Sequence, residues 1–277
     1  MVLIDGDPVV VEKFPNGEMR IPVKWIKDLG PRPLHTMVLR YRDDHDILTM
    51  AFLKSYLDTQ VERCRLAIEY LPYSRMDRCN PDFVFTLRPL CDMINHMNFE
   101  SVSLLEPHSD VSPALLNRCT PGTYSDRLFK VVIKEIGFVP SEDVVVFPDA
   151  GAQKRYVSKL KSFQIIVGDK TRDFSTGRIL EIKLSGPALL GSPTAVIIDD
   201  LCSYGGTFIM AAEALRKAGS GKVYLVVTHC EKSIFKGDLL KNGSVDKVFT
   251  TNILFDEEDV PQEFKDKIKI INSSEVF

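Results

Sequence analysis

Ala195-Val-Ile-Ile-Asp-Asp-Leu-Cys-Ser-Tyr-Gly-Gly-Thr207 is the stretch of sequence that decides the fold of this chain. Its first four residues are apolar and mostly β-branched, which predicts a buried strand over Thr194–Ile198. Two aspartates come next, then two glycines and a threonine, and an amphipathic pattern predicts a helix over Thr207–Ala218. A strand, a short turn and a helix in this order are typical of a parallel α/β sheet, in which ligands bind beyond the carboxyl ends of the strands.

The residue types in this turn favour a phosphorylated sugar as the ligand. Backbone N–H groups and the dipole at a helix N-terminus attract an anion such as phosphate. Gly205 and Gly206 allow the main chain to approach phosphate oxygens, and Thr207 adds a hydroxyl donor. Asp199 and Asp200 can accept hydrogen bonds from ribose hydroxyls or hold a magnesium ion. We therefore predict a ribose-phosphate loop, although an ordinary turn with an acidic N-cap has the same pattern.

The alternation of strand-like and helix-like segments continues through both halves of the chain. Strands are predicted at 36–41, 64–71, 101–105, 143–147, 163–167 and 222–227, and helices at 44–59, 87–98 and 151–161. This rhythm predicts mostly parallel sheets flanked by helices. The length of 277 residues favours two domains. We place the boundary between residues 128 and 129, which gives domains 1–128 and 129–277.

Composition excludes several classes of protein. The net charge of −3 argues against a general affinity for nucleic acid. The six cysteines form no C-x-x-C pair and have no zinc-like spacing with a histidine, so reduced thiols in a cytoplasmic protein are expected. The first residues lack the basic and apolar regions of a signal peptide. No apolar run is long enough to span a bilayer, so we expect no membrane partner.

Other segments resemble a known family when they are taken in order along the chain. They are Phe14-Pro-Asn-Gly-Glu18, similar to F-x-D-G-E; Leu71-Pro-Tyr-Ser-Arg-Met-Asp-Arg78, similar to P-Y-x-R-Q-D-R; Glu106-Pro-His-Ser109, in place of D-L-H; Phe147-Pro-Asp-Ala-Gly-Ala-Gln-Lys-Arg155, similar to P-D-x-G-x-x-x-R; Gly168-Asp-Lys-Thr-Arg172, similar to D-K-x-R; and Val226-Val-Thr-His229, similar to a final T-H. With the loop at 199–207, they resemble the ribose-phosphate diphosphokinases, or phosphoribosyl pyrophosphate synthetases.

The resemblance implies a fold and a reaction. It implies two similar α/β domains of the phosphoribosyltransferase type, with the ATP side in the first domain, the ribose-phosphate loop in the second and the active site between them. The implied reaction transfers the β,γ-diphosphoryl group of ATP to the anomeric 1-hydroxyl of a ribose, releasing AMP. It also implies a homo-oligomer, a dimer or larger, in which the loop around Phe14 reaches the ATP site of a neighbouring subunit.

The resemblance also implies a role for each matching residue. The catalytic residues would be Lys170 and Arg172, on a mobile stretch that continues over Asp173–Leu184. The ATP contacts would be Phe14, Asn16, Glu18, Arg75, Asp77 and His108. The ribose-phosphate contacts would be Asp149, Asp199, Asp200, Ser203, Tyr204, Gly205, Gly206 and Thr207. The cofactor would be Mg²⁺, bound with ATP near His108 and Asp149. His229 is expected to be structural.

Departures from the family pattern concern the acceptor and the ATP site. The family loop reads D-D-x-x-D-T-x-G-T, whereas Ser203 and Tyr204 replace an aspartate and a threonine here. A bulky ring in place of a small hydroxyl suggests a 5′-substituted ribose phosphate, so we expect ADP-ribose as the acceptor, giving a pyrophosphate for rebuilding NAD. Ribose 5-phosphate is the alternative, and a phosphoribosyltransferase or a non-catalytic regulatory subunit are weaker ones. Asn16 and Met76 depart from the family at the ATP site.

Overall fold

The computed structural model of the chain describes residues 1–28, 30, 32–79, 81–172 and 179–276. It consists of two compact units, Met1–Gly122 and Thr123–Phe277. The boundary expected between residues 128 and 129 lies inside a helix, Ser125–Ile136, which packs on strands of the second unit. Within the described ranges, no helix combines the length and the apolar character needed to cross a membrane.

The first unit is built on a six-stranded sheet with a separate two-stranded hairpin. Its strands are β1 Val2–Ile4, β2 Asp7–Pro8, β3 Glu12–Lys13, β4 Met19–Arg20, β5 His35–Leu39, β6 Cys64–Ile68, β7 Val102–Leu105 and β8 Cys119–Gly122, and its helices are α1 Lys24–Asp28, α2 Asp44–Thr59, α3 Leu87–His96 and α4 Val111–Leu115. The strand order is β2-β1-β5-β6-β7-β8. Strands β5 to β8 are parallel, whereas β1 pairs with β5 in the antiparallel sense.

Local sequence explains where helix α2 begins and which face it buries. Asp43 and Asp46 form a capping box that satisfies backbone donors at its first turn. Met50, Leu53 and Leu57 recur at helical spacing and are fully buried against the sheet. The helix spans Asp44–Thr59, so the sequence prediction is confirmed.

The second unit contains a seven-stranded sheet. Its strands are β9 Val144–Phe147, β10 Gln164–Arg172, β11 Ile179–Ser185, β12 Ala195–Cys202, β13 Val223–Cys230, β14 Lys247–Thr251 and β15 Ile268–Ile271, and its α-helices are α5 Ser125–Ile136, α6 Ala150–Tyr156 and α7 Gly206–Lys217. Short 3₁₀ helices lie at Lys232–Phe235, Glu257–Asp259, Gln262–Phe264 and Ser273–Glu275. The order is β11-β10-β9-β12-β13-β14-β15, and the pairs are parallel except β10 with β11.

Strand β12 is central to this sheet and is buried on both faces. Ala195 and Ile197 face one apolar cluster, whereas Val196 and Ile198 face the other. A strand with helices on both faces reads as a continuous apolar run, and this run is what the sequence shows. The predicted fold class, α/β units with mostly parallel sheets flanked by helices, is confirmed.

Three strands of the second unit, β10, β12 and β13, run further than the sequence predicted, and β13 ends at Cys230 rather than at Val227. Strand β12 continues past Ile198 to Cys202, because its later residues still pair with β13. Strand β10 continues from Val167 to Arg172, because it pairs with β11 in a hairpin. Residues 173–178 of the stretch expected to be mobile lie outside the described residues, and the rest of that stretch belongs to β11.

Candidate active site

The ribose-phosphate loop joins the carboxyl end of β12 to the first turn of α7. Gly205 is the N-cap residue of α7 and has a φ of +87°, which favours glycine. A Cβ at Gly205 would lie 2.7 Å from side-chain atoms of Leu239, so a larger residue would not fit there. The N–H groups of Gly206 and Thr207 lie in the first helical turn, where a helix provides no acceptor for them. The loop therefore has the geometry of an anion site.

Asp199 and Asp200 lie side by side on β12 and share one arginine. The Nη2 atom of Arg155 lies 2.9 Å from Oδ1 of Asp199 and 2.8 Å from Oδ1 of Asp200. The backbone N–H of Asp200 also donates to Oδ1 of Asp199, at 2.9 Å. Burial raises the pKa of Asp199 well above its usual value, the charge of Asp200 raises it further, and Arg155 offsets part of the shift.

Arg155 is the site residue to which the sequence assigned no role. It ends the quoted segment 147–155 and lies in the last turn of α6, so the segment itself was a signal. Its partners are 44 and 45 residues away along the chain. The bridge between them depends on β9 and β12 being neighbours in the sheet, which residue spacing does not reveal.

Lys170 and Asp149, predicted to act on substrate, form an ion pair. The Nζ atom of Lys170 on β10 lies 2.6 Å from Oδ2 of Asp149, which is the N-cap residue of α6. Burial opposes ionisation of Asp149, but the hydrogen bonds from Lys170 and from the Ala152 N–H outweigh it and lower its pKa. Gly168 makes this approach possible, because a Cβ there would lie 2.8 Å from the carbonyl oxygen of Pro148.

The second unit thus brings most of the predicted ribose-phosphate residues to one edge of its sheet. Asp149 follows β9, Lys170 lies on β10 and Asp199 lies on β12, and these three strands are adjacent. The charge of Asp149 is also one of the influences that raise the pKa of Asp199. Arg172 ends β10, but its side chain lies outside what the structure describes, so its catalytic role stays a prediction.

In the first unit, the predicted ATP loop is the turn of the hairpin between β3 and β4. The turn is closed by a hydrogen bond from the Phe14 N–H to the Glu18 carbonyl oxygen, at 2.8 Å. Oδ1 of Asn16 accepts from the Glu18 N–H at 3.2 Å, and Gly17 has a φ of +90°. Arg20 lies over the exposed ring of Phe14, 5.1 Å from its centroid. Asn16 therefore shapes the turn, and the adenine contacts stay a prediction.

The second group of predicted ATP residues consists of Arg75, Asp77 and His108. Burial opposes ionisation of Asp77, but hydrogen bonds with Ser109 and Arg78 outweigh it, and the charge of His108 adds to them, so its pKa is lowered. Nε of Arg78 lies 3.0 Å from Oδ1 of Asp77. Asp77 therefore organises the loop of His108, whereas Arg75 is exposed.

Comparisons with known proteins agree on one family. A family model described as "Phosphoribosyl synthetase-associated domain" matches residues 186–277. The chain is 25% identical to a ribose-phosphate pyrophosphokinase from Thermococcus kodakarensis, covering 89% of this chain and 85% of that one. It is 26% identical to one from Sulfurisphaera tokodaii, covering 87% and 82%. Its fold matches phosphoribosylpyrophosphate synthetase from Mycobacterium smegmatis with a TM-score of 0.74, at 17% identity, covering 97% and 87%.

The chain is similar to the ribose-phosphate pyrophosphokinases over most of its length. The comparisons do not distinguish the branch that would use ADP-ribose. The family model covers the ribose-phosphate loop of this chain but not Asp149 or Lys170. For these two residues, the ion pair seen in the structure adds to the resemblance.

The residues predicted to hold magnesium do not form a metal site by themselves. Among the residues that the structure describes, no group of three His, Cys, Asp or Glu side chains could hold a metal ion. Both oxygens of Asp149 are engaged, one by the Ala152 N–H and the other by Lys170. Mg²⁺ usually binds one or two carboxylates together with substrate phosphates. The assignment of Mg²⁺ to His108 and Asp149 stays a prediction.

Proposed function

We propose that this chain is an ATP-dependent ribose-phosphate pyrophosphokinase that uses ribose 5-phosphate. It transfers the diphosphoryl group of ATP to the anomeric hydroxyl and releases AMP. The observation that carries the proposal is the common position of the Lys170–Asp149 pair and the ribose-phosphate loop at one edge of the second sheet. The names of the relatives support the same reaction for the family.

The acceptor's phosphate fits the loop at the start of α7. Donors from the first helical turn and the hydroxyl of Thr207 suit its oxygens. Asp199 and Asp200 are acceptors and suit the ribose hydroxyls. Arg155 restrains both carboxylates, because it bridges them at 2.8 to 2.9 Å. The sugar would thus be held with its anomeric hydroxyl oriented for attack, and such positioning supplies a large share of the rate.

Lys170 is the group that would meet the charge of the transferred diphosphoryl group. Its ammonium is held by Asp149 and its side chain is only 11% exposed. An incoming diphosphate is a stronger anion than a single carboxylate and can take over this ammonium. Charge on the oxygens of a phosphoryl group in transfer must be neutralised, so a cation placed here accelerates the reaction.

The choice of acceptor is the finer part of the proposal. Ribose 5-phosphate agrees better with the comparisons than ADP-ribose, which the loop sequence suggested. ADP-ribose remains a second candidate because of one observation: Tyr204, within the loop, is 59% exposed. An exposed ring could stack on a nucleotide attached to the 5′ phosphate.

Tyr204→Thr tests the second candidate. We expect the ratio of kcat/KM for ADP-ribose to that for ribose 5-phosphate to fall several-fold, because the stacking surface is lost. Tyr204→Phe is the matched control, since it keeps the ring and should keep the ratio. An unchanged ratio in Tyr204→Thr would remove Tyr204 from acceptor selection.

One assay tests the proposed function. The protein is incubated with ATP, Mg²⁺ and either ribose 5-phosphate or ADP-ribose, and AMP release and product mass are followed. AMP with ribose 5-phosphate supports the main proposal, and AMP with ADP-ribose alone supports the second candidate. If neither acceptor yields AMP, the proposed synthetase function is wrong. A phosphoribosyltransferase and a non-catalytic regulatory subunit then remain as alternatives. Sedimentation of the same sample tests the expected homo-oligomer.

A further inference from the structure

The segment between β6 and α3, which carries predicted ATP residues, contains a tyrosine in an unusual backbone conformation. Tyr73 has a φ of +62°, in the left-handed region that bulky side chains rarely adopt. Its carbonyl oxygen accepts a hydrogen bond from the N–H of Met76 at 2.9 Å, which closes a turn over residues 73–76. Arg75 is the third residue of this turn and is exposed. The chain enters the turn through Tyr73, so the placement of Arg75 depends on the conformation held there.

The hydroxyl of Tyr73 supplies a restraint on that conformation. A left-handed residue other than glycine costs free energy, so it persists only where surrounding contacts hold it. Oη of Tyr73 donates to Oδ1 of Asp44 at 2.5 Å, although the two residues are 29 positions apart in the sequence. This hydrogen bond to a carboxylate is the main cause that raises the pKa of the Tyr73 phenol. The contact therefore ties the turn to the start of helix α2.

Asp44 is placed to hold two segments of the first unit at once. Its Oδ1 also accepts from the hydroxyl of Tyr41, at 3.0 Å. Tyr41 follows β5 and Tyr73 follows β6, and these two strands are parallel neighbours. The first turn of α2 favours a negative charge, and hydrogen bonds to an ionised carboxylate are stronger than neutral ones. Asp44 thus joins both segments at the carboxyl edge of the first sheet, where parallel sheets bind ligands.

The other end of the same turn is also held in place. Asp77 comes directly after the turn and is only 7% exposed. It forms hydrogen bonds with Ser109 and with Arg78, whose Nε lies 3.0 Å from Oδ1 of Asp77. The exposed Arg75 therefore lies between two restrained residues, and the loss of either restraint would free the turn.

We propose that Asp44, acting through the hydroxyl of Tyr73, positions the turn at 73–76 so that Arg75 meets the phosphates of ATP. Arg75 is the contact residue, and Asp44 and Tyr73 are positioning residues. The sequence motif that suggested an ATP contact contains Tyr73 but not Asp44, and only the fold joins them. The inference rests on the proposed function, because it takes ATP to be the ligand of this turn.

A positioning role predicts which kinetic constant changes. A segment that samples several conformations binds its ligand with an affinity reduced by the fraction that is competent. The restraint on Tyr73 would therefore favour ATP binding without any contact between Asp44 and ATP. Its loss weakens binding of ATP in the ground state and in the transition state alike, so KM for ATP rises while kcat stays nearly constant.

Tyr73→Phe removes only the hydroxyl and is the direct test. We expect the KM for ATP to rise about tenfold, as for a lost hydrogen bond to a charged group, with the KM for ribose 5-phosphate unchanged. Asp44→Ala should have the same effect, whereas Asp44→Asn keeps an acceptor oxygen and should lose less. A parallel rise in the KM for ribose 5-phosphate would indicate general loosening of the protein and would overturn the inference.

The double variant Asp44→Ala/Tyr73→Phe tests whether the two residues act through one bond. Its KM for ATP should be no higher than that of either single variant, because each substitution already removes the same contact. A rise of about a hundredfold, the product of two independent effects, would contradict the proposal. Thermal unfolding by circular dichroism checks that all variants remain folded at the assay temperature.

Tyr41→Phe is the matched control, since it removes the other phenol hydroxyl from the same carboxylate oxygen. Tyr41 lies outside the turn, so the KM for ATP should change little. An effect as large as that of Tyr73→Phe would show that Asp44 does not act through the turn.

Calorimetric titration with ATP keeps this inference separate from the proposed function, because it needs no turnover. If the wild-type protein binds ATP but releases no AMP, the proposed function fails, and the affinities of the variants still decide the role of Asp44. If AMP is released but Tyr73→Phe binds ATP as tightly as the wild type, the inference alone fails. A wild-type protein that does not bind ATP would overturn both.

Discussion

Lys170 is a residue whose surroundings agree with a catalytic role. Its side chain is largely buried, and its ammonium pairs with the carboxylate of Asp149. A lysine kept for structure alone would gain little from such a position, because a buried ion pair often costs as much desolvation as it gains in attraction. The ion pair instead keeps the ammonium group of Lys170 at the edge of the sheet where the reaction would occur.

Lys170→Ala is expected to lower kcat about a hundred- to a thousand-fold, because the charge that meets the transferred group is lost. ATP affinity should change little, since other groups bind the nucleotide. AMP release and calorimetric ATP binding measure the two effects. Lys183→Ala is the control, because Lys183 is an exposed lysine on the neighbouring strand β11. Turnover that survives in Lys170→Ala would exclude this lysine from the mechanism.

The raised pKa of Asp199 predicts that the stability of the protein depends on pH. Because burial and Asp200 raise its pKa, the native carboxyl binds its proton to a higher pH than the unfolded one. The free energy of unfolding therefore falls as pH rises from the unfolded value of about 4 through the native pKa. Asp199→Asn cannot ionise and should avoid that loss. We expect its Tm to exceed the wild-type Tm by more at about pH 8 than at about pH 4, while AMP release falls.

Thermal unfolding monitored by circular dichroism from about pH 4 to about pH 8 measures this difference. The test compares how the Tm difference between Asp199→Asn and the wild type changes with pH. An effect of the asparagine that is the same at every pH therefore cancels. A Tm difference that is the same at both ends of the range would count against the raised pKa of Asp199.

At the scale of elements, close backbone approaches shape the ribose-phosphate loop. A Cβ at Gly237 would lie 2.2 Å from the carbonyl oxygen of Tyr204, and a Cβ at Gly205 would lie 2.7 Å from the side chain of Leu239. In each of these pairs the two residues lie far apart in the sequence. The steric requirement for glycine at each position therefore becomes visible only in the folded structure. The loop is thus built by its neighbours as much as by its own residues.

Gly237→Ala is expected to destabilise the second unit by about 1–3 kcal/mol and to raise the acceptor KM, because a Cβ would collide with backbone at the loop. Gly243→Ala is the control: Gly243 has a φ of +75° and open space around it, so only conformational strain is added. Its Tm should fall, but its acceptor KM should not change. Steady-state kinetics and thermal unfolding separate the two effects.

Strand lengths show how far periodicity alone can predict an element. Helix α2 begins and ends where the apolar spacing predicted. Strands β10 and β12 run further than predicted, through residues with no alternating pattern. Their extra residues remain in the sheet because a neighbouring strand continues to pair with them, and pairing partners are not encoded in local spacing.

At the scale of the whole molecule, burial differs greatly among the six cysteines. Burial raises the pKa of Cys64 and of Cys91 to about 12. It raises that of Cys230 as well, and that of Cys119 on its half-buried strand. A thiol must ionise to react quickly, so these cysteines should be slow toward thiol reagents in the native state.

We expect one fast-reacting thiol in the native protein, at the exposed Cys79, and all six in denaturant. Titration with a chromogenic disulfide reagent gives both counts. Cys79→Ser should abolish the fast phase and leave the slow ones. A fast phase that persists in this variant would show that a second cysteine is accessible in the native state.

The sequence by itself determined the fold class, the order of strands and helices around the loop, and the residue types that suit phosphate and ribose. Those properties follow from apolar periodicity and from turn chemistry, which are local. Only the tertiary structure decided that Arg155 bridges Asp199 and Asp200, and that Ser233 lies within hydrogen-bond distance of both Ser203 and Glu231. These contacts join residues from different strands and turns, so they exist only once the order of strands in the sheet has brought those elements side by side.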